Sequence, residues 1–395
     1  MTVFVPRSAP GDRVRLARLR RRKRHAEAQL AELIEGGPAR VDPVCEHFTR
    51  DRCGGCQWQH LAIEVQREAK RRIVGDALRR IARLDVSDPE LVPSPNSLGY
   101  RSTVTLTVRR APERTWAGFH DAADPDRVFA LDRCHIADPR LQALWEAVRG
   151  ALDCLPDGDD VRLKLRVAAD GGLHVVVSGG ASSWTGADGL ASAASLRGLA
   201  ATIWWEPARG VARHMAGPHR DPAAASFAQV NSDVAAALKA DLLAEARRHL
   251  GPEAGKRALD LYAGAGDTAL ELARMGFDVT MVELDRRAVR RAEELAAAGG
   301  VELRCVAGRV EDHIQRLLPA DIVVANPPRT GLGEAVTDHL NDLPPSRLIY
   351  VSCDSATLAR DLSRLRIQVE DLELVRCYDM FPQTSHVETL CVLAP

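Results

Sequence analysis

An apolar strand that runs directly into a glycine loop and a helix constrains this chain most. Residues 258–262 are followed by Ala-Gly-Ala-Gly-Asp at 263–267. From there onward, apolar runs typical of strands alternate with stretches typical of helices. Strands that alternate with helices favour a parallel sheet with helices on both faces. The sequence therefore predicts an α/β domain over residues 233–395, with a ligand at the strand ends.

Five parallel strands are expected in this domain, at residues 258–262, 279–283, 302–306, 322–325 and 348–352. Helices are expected between them, for example at 286–297 and 357–365. Residues 371–378 and 386–393 favour an antiparallel pair at the edge of the sheet.

The glycine loop predicts a nucleotide-type ligand. Gly264 and Gly266 allow a tight turn and a close approach of the backbone, and Glu283 follows at the end of the next strand, where it can bind ribose hydroxyls. The spacing also fits a dinucleotide fingerprint, so NAD and a purely structural turn remain alternatives. Asp267 disfavours a pyrophosphate but can accept hydrogen bonds from a methionine amino group.

Two later strand ends carry polar groups. Asn326-Pro-Pro-Arg329 follows one strand, and Cys353 stands between another strand and a helix. The positive field at a helix N-terminus predicts a lowered pKa for the Cys353 thiol. Glu388 lies beside an apolar strand, where a carboxylate must be paired or used. Four other cysteines are expected to be small core residues: Cys154, Cys305, Cys377 and Cys391.

Charge and cysteine spacing describe the front of the chain. Residues 1–80 hold 18 Lys/Arg against 10 Asp/Glu, although the whole chain has a formal net charge of −1. This balance favours an anionic partner such as nucleic acid, or else a solvated helical face. Cys45, Cys53 and Cys56, together with Cys134, offer four thiolates, which suit either zinc or an iron–sulfur cluster.

No apolar run is long enough to span a membrane, and no secretory signal is visible, so a cytoplasmic location is expected. No obligate protein partner is evident. Residues 100–180 alternate in the manner of strands, which predicts a central, mostly antiparallel sheet. The expected segments are 1–42, 43–92 with the cysteine loop and a basic helix, 93–232 with the central sheet and Cys134, and the α/β domain 233–395.

Taken together, the motifs resemble the RNA uracil-5-methyltransferase family, which acts on tRNA or 23S rRNA, over nearly the whole chain. The matching segments are 226–231 (Ser-Phe-Ala-Gln-Val-Asn), the loop at Gly264, 326–329, 352–353 and 381–388. The resemblance implies a class I, Rossmann-like methyltransferase domain that uses S-adenosylmethionine. It also implies an RNA substrate, with 23S rRNA favoured over tRNA.

The same resemblance assigns roles to individual residues. Cys353 would be the nucleophile that adds to uracil and Glu388 the base. Phe227 and Arg101 would contact the RNA. Cofactor or substrate contacts would come from Gln229, Tyr262, Gly264, Gly266, Asp267, Glu283 and Asn326. Members with Cys-Gly-Gly-Cys bind a [4Fe–4S] cluster, which implies that cluster here with zinc as the lesser possibility.

Three features depart from the family pattern. Asn326 replaces the usual Asp, Ser355 replaces the usual Pro, and the acidic residue common near Arg309 is absent. The first 40 residues resemble the end of a TRAM domain, a small RNA-binding barrel, but its opening strands are missing. Methylation of an exocyclic amine and a catalytically weak RNA-binding protein remain alternatives.

Overall fold

The computed structural model describes residues 1–208, 212–221, 229–250 and 255–395. The chain divides into two compact units. The first unit comprises residues 1–66, 96–232 and 382–385, and the second comprises 67–95, 233–381 and 386–395. The finer division into four segments stays a prediction.

Strands and helices are spread over both units. The strands are β1 (Thr2–Phe4), β2 (Arg13–Arg21), β3 (His25–Glu35), β4 (Glu90–Val92), β5 (Thr103–Ala111), β6 (Arg114–Gly118), β7 (Arg162–Val167), β8 (Leu173–Ser178), β9 (Ala201–Glu206), β10 (Arg213–Ala216), β11 (Arg257–Leu261), β12 (Asp278–Glu283), β13 (Arg304–Ala307), β14 (Ile322–Ala325), β15 (Arg347–Ser352), β16 (Leu372–Tyr378) and β17 (Glu388–Leu393). The helices are α1 (Glu46–Thr49), α2 (Ile63–Ala77), α3 (Pro139–Val148), α4 (Ala187–Ser195), α5 (Ser232–Leu250), α6 (Asp267–Arg274), α7 (Arg286–Gly299), α8 (Ile314–Leu317), α9 (Glu334–Asp342) and α10 (Ser355–Arg364).

The first unit begins with a small sheet in the order β1-β3-β2. Strand β3 was not predicted. It pairs antiparallel with β2 along most of its length and parallel with β1. The basic run at 20–24 forms the end of β2 and the turn into β3.

The larger sheet of the first unit has the order β10-β9-β8-β7-β5-β6. All its neighbours are antiparallel except β8 and β9, which confirms the predicted mostly antiparallel module. Strand β5 alternates between buried and less buried residues over residues 103–108, whereas β8 and β9 are buried on both faces. Leu163, Leu165 and Val167 of β7 belong to one apolar cluster with buried residues of α3 and α4. The opposite face of β7 carries Arg162, Lys164 and Arg166.

The second unit contains an eight-stranded sheet in the order β13-β12-β11-β14-β15-β17-β16-β4. The first five strands are mutually parallel, and β17 lies antiparallel between β15 and β16. Every residue of β14 is buried, as expected for a strand covered on both faces. One apolar cluster joins the sheet to α9 and α10, and another joins it to α5, α6 and α7. The predicted α/β architecture is therefore confirmed.

No helix in the described part of the chain combines the length and the hydrophobicity needed to cross a membrane.

Candidate active site and a cysteine-lined cavity

The carboxyl ends of the parallel strands of the second unit lie along one edge of the sheet. Leu261, the last residue of β11, is level with Val282 of β12 and with Ala325 of β14, and Ala325 is level with Tyr350 of β15. The loops that leave these strands are therefore neighbours at the edge where open α/β sheets bind ligands. Two of these loops carry the glycine motif and Asn326-Pro-Pro-Arg329.

The glycine loop turns in a conformation that requires its second glycine. Gly266 has φ +78°, and a Cβ at that position would lie 2.9 Å from Cβ of Ala292 and 3.1 Å from Sδ of Met281. The carboxylate of Glu283 accepts hydrogen bonds from the backbone N–H of Gly264 at 2.9 Å and of Asp285 at 2.8 Å. The loop is thus tied to the end of β12, with the exposed Asp267 beginning α6.

Tyr262 is the most unusual residue of this loop. It has φ +61°, a left-handed conformation that costs free energy for a residue with a bulky side chain. Its hydroxyl is buried and has no hydrogen-bond partner among the described residues. Burial and the nearby Glu311 and Asp361 carboxylates raise its pKa, so the hydroxyl stays protonated and can donate. A strained residue with an unsatisfied buried hydroxyl marks a position where a ligand group fits.

Asp260, two residues before Tyr262, is completely buried in β11. Burial, with smaller contributions from Asp267 and Glu283, raises its pKa to about 7. One of its carboxylate oxygens lacks a partner among the described residues. Three carboxyl groups therefore lie around the glycine loop, an arrangement that disfavours an anionic pyrophosphate and suits a cationic ligand group.

Cys353 and Glu388 lie at the same end of the antiparallel pair β15 and β17. The last paired residues there are Ser352 of β15 and Thr389 of β17, and Cys353 follows the first while Glu388 precedes the second. The two groups are near enough that the charge of Glu388 acts on the Cys353 thiol. Cys353 is half-buried and Glu388 is 5% exposed.

The electrostatics of this pair differ from the sequence-based expectation. Burial raises the pKa of Glu388 to about 7, and the positive charge of Arg329 opposes this rise. Burial and the Glu388 carboxylate raise the pKa of the Cys353 thiol. The prediction of a lowered Cys353 pKa was therefore wrong, because desolvation and a neighbouring carboxylate outweigh the field of the helix that follows.

The Asn326-Pro-Pro-Arg329 loop is fixed by a buried carboxylate. Oδ2 of Asp361 accepts hydrogen bonds from the Tyr350 hydroxyl at 2.7 Å and from the backbone N–H of Leu332 at 2.8 Å. The hydroxyl of Thr357 donates to the carbonyl of Arg329 at 3.1 Å. The side chains of Asn326 and Arg329 remain exposed. Contacts with α10 thus hold the loop that carries Arg329, whose positive charge acts to lower the pKa values of the Cys353 thiol and the Glu388 carboxylate.

The segment that leads to Glu388 is anchored by a buried ion pair. Nζ of Lys70 lies 2.5 Å from Oδ1 of Asp379 and donates to the Phe381 carbonyl at 2.9 Å. Lys70 is 0% and Asp379 1% exposed. A buried lysine needs such a partner to remain charged.

Two described site residues, Gln229 and Arg101, belong to the first unit. Gln229 is half-buried, and its backbone carbonyl accepts a hydrogen bond from the Ser102 hydroxyl at 3.4 Å. Nε of Arg101 donates to the Thr103 carbonyl at 2.9 Å. Phe227 lies outside the described residues.

The four clustered cysteines line one cavity of about 190 Å³ in the first unit. Cys45, Cys53, Cys56 and Cys134 are all free thiols. They are near enough that the charge of the other three contributes to the raised pKa of Cys56. Among the described residues, however, no three His, Cys, Asp or Glu side chains are arranged around a single metal ion.

Some supporting residues were not found from the sequence. Asp361 and Tyr350 look like ordinary helix and strand residues, and only the fold shows that they fix the loop at 329–332. His47 lines the cysteine cavity, with Nδ1 2.7 Å from Asp51 and Nε2 accepting from the Asp132 backbone N–H at 2.9 Å. Its position two residues after Cys45 was the one available signal.

Family models match two overlapping parts of the chain. Residues 308–394 match the tRNA (uracil-5-)-methyltransferase model, and residues 223–341 match the methyltransferase small domain. Both lie mainly on the second unit, where the strand-end groups are found.

Curated relatives align with almost the entire chain. A 23S rRNA (uracil(1939)-C(5))-methyltransferase, RlmD, of Chromohalobacter salexigens is 33% identical over 99% of this chain and 84% of its own length. The RlmD of Thiobacillus denitrificans is 30% identical over 98% of this chain and 94% of its own length. An uncharacterized RNA methyltransferase of Thermosynechococcus vestitus is 31% identical over 99% of this chain and 92% of its own length.

A solved structure shows the same fold. The tRNA (uracil-54, C5)-methyltransferase of Pyrococcus abyssi, in complex with S-adenosyl-L-homocysteine, matches with a TM-score of 0.71 and 22% identity, covering 99% of this chain and 95% of its own. The same family is indicated by the matched family models and by the relatives that align with almost the entire chain, and the loops at the carboxyl edge of the sheet fit it. The chain belongs to the family of S-adenosylmethionine-dependent RNA (uracil-5-)-methyltransferases.

Proposed function

We propose that this protein methylates C5 of a specific uridine in structured RNA through a covalent adduct between Cys353 and C6 of the uracil. The observation that carries the proposal is that Cys353 and Glu388 adjoin the last paired residues at one end of β15 and β17, near enough for the charge of Glu388 to act on the thiol. A nucleophile and a base within reach of one ring are what C5 substitution requires.

The reaction needs covalent activation because C5 of uracil is a poor nucleophile. The Cys353 thiol first loses its proton to solvent, which Arg329 favours. The resulting thiolate forms a bond from sulfur to C6, and the electrons of the C5=C6 double bond move toward C5 and O4. S-adenosylmethionine, when bound, supplies an electrophilic methyl group. C5 takes this methyl group, and the new C5–CH₃ bond replaces the methyl–sulfonium bond. Cys353 thus converts an unreactive ring into a carbon nucleophile.

Glu388 completes the reaction as the base. Its carboxylate takes the proton from C5, the C5=C6 bond reforms, and the S–C6 bond to Cys353 breaks. Burial raises the pKa of Glu388 to about 7, so its carboxylate is a stronger base than an exposed one but is still substantially ionised near neutral pH. Arg329 favours the charged forms of both Glu388 and Cys353.

The glycine-loop edge supports the binding of S-adenosylmethionine. The positive φ values of Tyr262, Gly264 and Gly266 form a tight concave loop, and the buried Tyr262 hydroxyl lacks a partner among the described residues. Carboxylates at Asp267 and Glu283 suit the amino group and the ribose hydroxyls of the cofactor. Asn326 and Gln229 are the remaining proposed contacts. An amide at Asn326 keeps hydrogen-bonding capacity without the charge of the usual aspartate.

The RNA is proposed to be 23S rRNA. Two full-length relatives with at least 30% identity are named as 23S rRNA methyltransferases, whereas the tRNA enzyme of Pyrococcus abyssi shares 22% identity. Phe227 and Arg101 are proposed RNA contacts. The target uridine must leave its stack to reach Cys353, which costs less in a loop than in a duplex.

The cysteine-lined cavity is proposed to hold a [4Fe–4S] cluster. Its four thiols are among the residues that line a cavity of about 190 Å³. Four cysteine thiolates are the donor set of a [4Fe–4S] cluster, and they also suit zinc, which is the lesser possibility. The cluster would join the loop at 45–56 to Cys134, a structural role, since the proposed methyl transfer involves no change of oxidation state.

Methyl transfer in vitro tests the proposed function. Purified protein is incubated with labelled S-adenosylmethionine and rRNA or tRNA, and the modified nucleosides are identified by mass spectrometry. We expect 5-methyluridine from the native protein and none from Cys353→Ala. Cys305→Ala, which changes a half-buried thiol on β13, is the matched control and should retain activity. Glu388→Gln should accumulate an RNA–protein adduct that survives denaturation, because the C5 proton cannot be removed.

Two results would contradict the proposal. Full activity of Cys353→Ala would exclude the covalent route. A methylated exocyclic amine among the products would favour amine methylation, a reaction for which other methyltransferases also use Asn-Pro-Pro motifs. Cofactor binding without transfer to any cellular RNA would instead indicate a catalytically weak RNA-binding protein.

A further inference from the structure

The segment that leads to Glu388 takes part in the first unit before it reaches the proposed base. Residues 382–385 belong to that unit, and Glu388 follows three residues later at the start of β17. Gln383 is 8% exposed and has φ +69°, a left-handed conformation that costs free energy for a residue with a long side chain. Such a conformation persists only where the surrounding contacts enforce it.

Gln66 of α2 makes a pair of hydrogen bonds with Gln383. Its Oε1 accepts from the backbone N–H of Gln383 at 2.9 Å, and its Nε2 donates to Oε1 of Gln383 at 2.9 Å. The same Nε2 donates to the carbonyls of Trp58 at 3.0 Å and Leu61 at 2.9 Å. Gln66 is 1% exposed, so its buried amide is satisfied by protein groups and fixes Gln383 through both backbone and side chain.

Residues around the cysteine loop hold the same segment. The backbone N–H of Trp58, two residues after Cys56, donates to the carbonyl of Gln383 at 2.9 Å. The hydroxyl of Tyr100 donates to the carbonyl of Pro382 at 3.0 Å, and its side chain packs in one apolar cluster with Cys56. The carbonyls of two successive residues before Glu388 therefore each have a donor beside the cysteine loop.

We propose that Gln66 and Gln383 are positioning residues for methyl transfer, which hold the chain before Glu388 so that its carboxylate reaches the C5 proton. This inference rests on the proposed role of Glu388 as the base. The two glutamines act through the course of the backbone and not by contact with the substrate. Misplacing a catalytic group by about 1 Å can lower a rate by about 100-fold. Loss of either glutamine should therefore slow the step that needs Glu388, which is the removal of the C5 proton and the release of Cys353.

The test uses the full-length protein with Gln66→Met, which keeps a similar volume and removes the hydrogen bonds, and with Gln383→Ala. Gln383→Ala is the milder change, because the two bonds from Gln66 to backbone carbonyls remain. Gln142→Met is the matched control. This buried glutamine also lies in the first unit, but it accepts from the Cys134 backbone N–H at 3.1 Å and donates to Glu146 at 3.1 Å.

Single turnovers with RNA and S-adenosylmethionine separate the formation of the Cys353 adduct from the release of methylated RNA. We expect both variants to form the adduct at the native rate and to release the product about 10- to 100-fold more slowly. An RNA–protein adduct should therefore accumulate, as in Glu388→Gln. Gln142→Met should lower the melting temperature without accumulating an adduct, because the buried amide is lost away from the segment before Glu388.

Hydrogen exchange without RNA gives an independent readout. The backbone N–H of Gln383 should exchange faster in Gln66→Met than in the native protein, since its acceptor is removed. Mass spectrometry of a peptide that covers residues 382–388 should show faster exchange in both glutamine variants and native exchange in Gln142→Met.

Each contrary outcome is distinct. Native release rates in both variants, or an equal adduct in Gln142→Met, would overturn the proposal. Slower adduct formation with unchanged release, or unfolding of both variants, would show that the two glutamines only stabilise the first unit. If Glu388→Gln itself accumulates no adduct, the proposed role of Glu388 fails, while the exchange rates still decide whether Gln66 and Gln383 hold this segment.

Discussion

The buried pair of Lys70 and Asp379 makes a quantitative test of how the second unit is held together. Lys70→Met keeps the apolar stem and removes the ammonium group, which leaves the 1%-exposed Asp379 carboxylate without its hydrogen-bonded cation. Arg67 is the next cation, and its Nε lies 3.7 Å from Oδ2, a distance without a hydrogen bond.

The expected cost follows from this burial. Removing one partner of a buried ion pair destabilises proteins by about 3–5 kcal/mol, since the remaining charge is uncompensated. In a domain of about 150–250 residues, each kcal/mol lowers the melting temperature by about 2–4 °C. Lys70→Met should therefore lower the melting temperature of the second unit by about 6–20 °C.

Calorimetry of Lys70→Met, Asp379→Leu, their double variant and the control Arg72→Met provides the measurement. The double variant Lys70→Met/Asp379→Leu removes both charges and should recover most of the loss. The matched control is Arg72→Met, whose exposed partner Glu68 lies 3.0 Å away on the same helix. An exposed pair of this kind contributes at most about 1 kcal/mol.

The additivity of the changes in the free energy of unfolding tests whether the two buried charges are coupled. If Lys70→Met costs no more than Arg72→Met, the buried pair is not needed to compensate the Asp379 charge. If the double variant is as unstable as the sum of its single variants, the two charges are not coupled, and the argument from desolvation is refuted.

Three further outcomes are expected. Gly266→Ala should destabilise the second unit by about 1–3 kcal/mol and weaken cofactor binding, because its Cβ would meet Ala292 at 2.9 Å, and calorimetric titration checks this. Single-turnover methylation should slow as the pH falls through about 7, where Glu388 becomes protonated and loses its function as a base; a flat profile there would contradict its role. Cys56→Ser should lower the iron content of anaerobically purified protein, whereas Cys154→Ser, outside the cavity, should not.

The α/β domain was predictable because its strands are continuous apolar runs. The predicted strand at 322–325 coincides with β14, whose four residues are all buried. Strands of this kind must be covered on both faces, and helices on the two sides of a parallel sheet provide that cover. Strand β3 escaped prediction because many of its residues are exposed and its alternation is weak, so the pattern shows no apolar face.

The site was predictable in its residues but not in its electrostatics. The strand-end positions of Cys353 and Glu388 can be read from motif spacing, but their cross-strand placement depends on the order of β15 and β17. The direction of the Cys353 pKa shift followed from neighbours that the sequence does not place beside it. Arg166 shows the same limit. Its burial depends on the tertiary fold and cannot be read from the alternation Arg-Leu-Lys-Leu-Arg.

The position of β17 in the sheet has a consequence for how the protein is made. This strand follows β15 and β16 in the chain, yet it lies between them in the sheet. While a ribosome is still synthesising the chain, β15 and β16 emerge earlier and cannot pair through it. Until β17 emerges, both keep an open edge that could recruit another strand. Because β17 begins with Glu388, the nascent protein gains its proposed base and its closed sheet in the same late step.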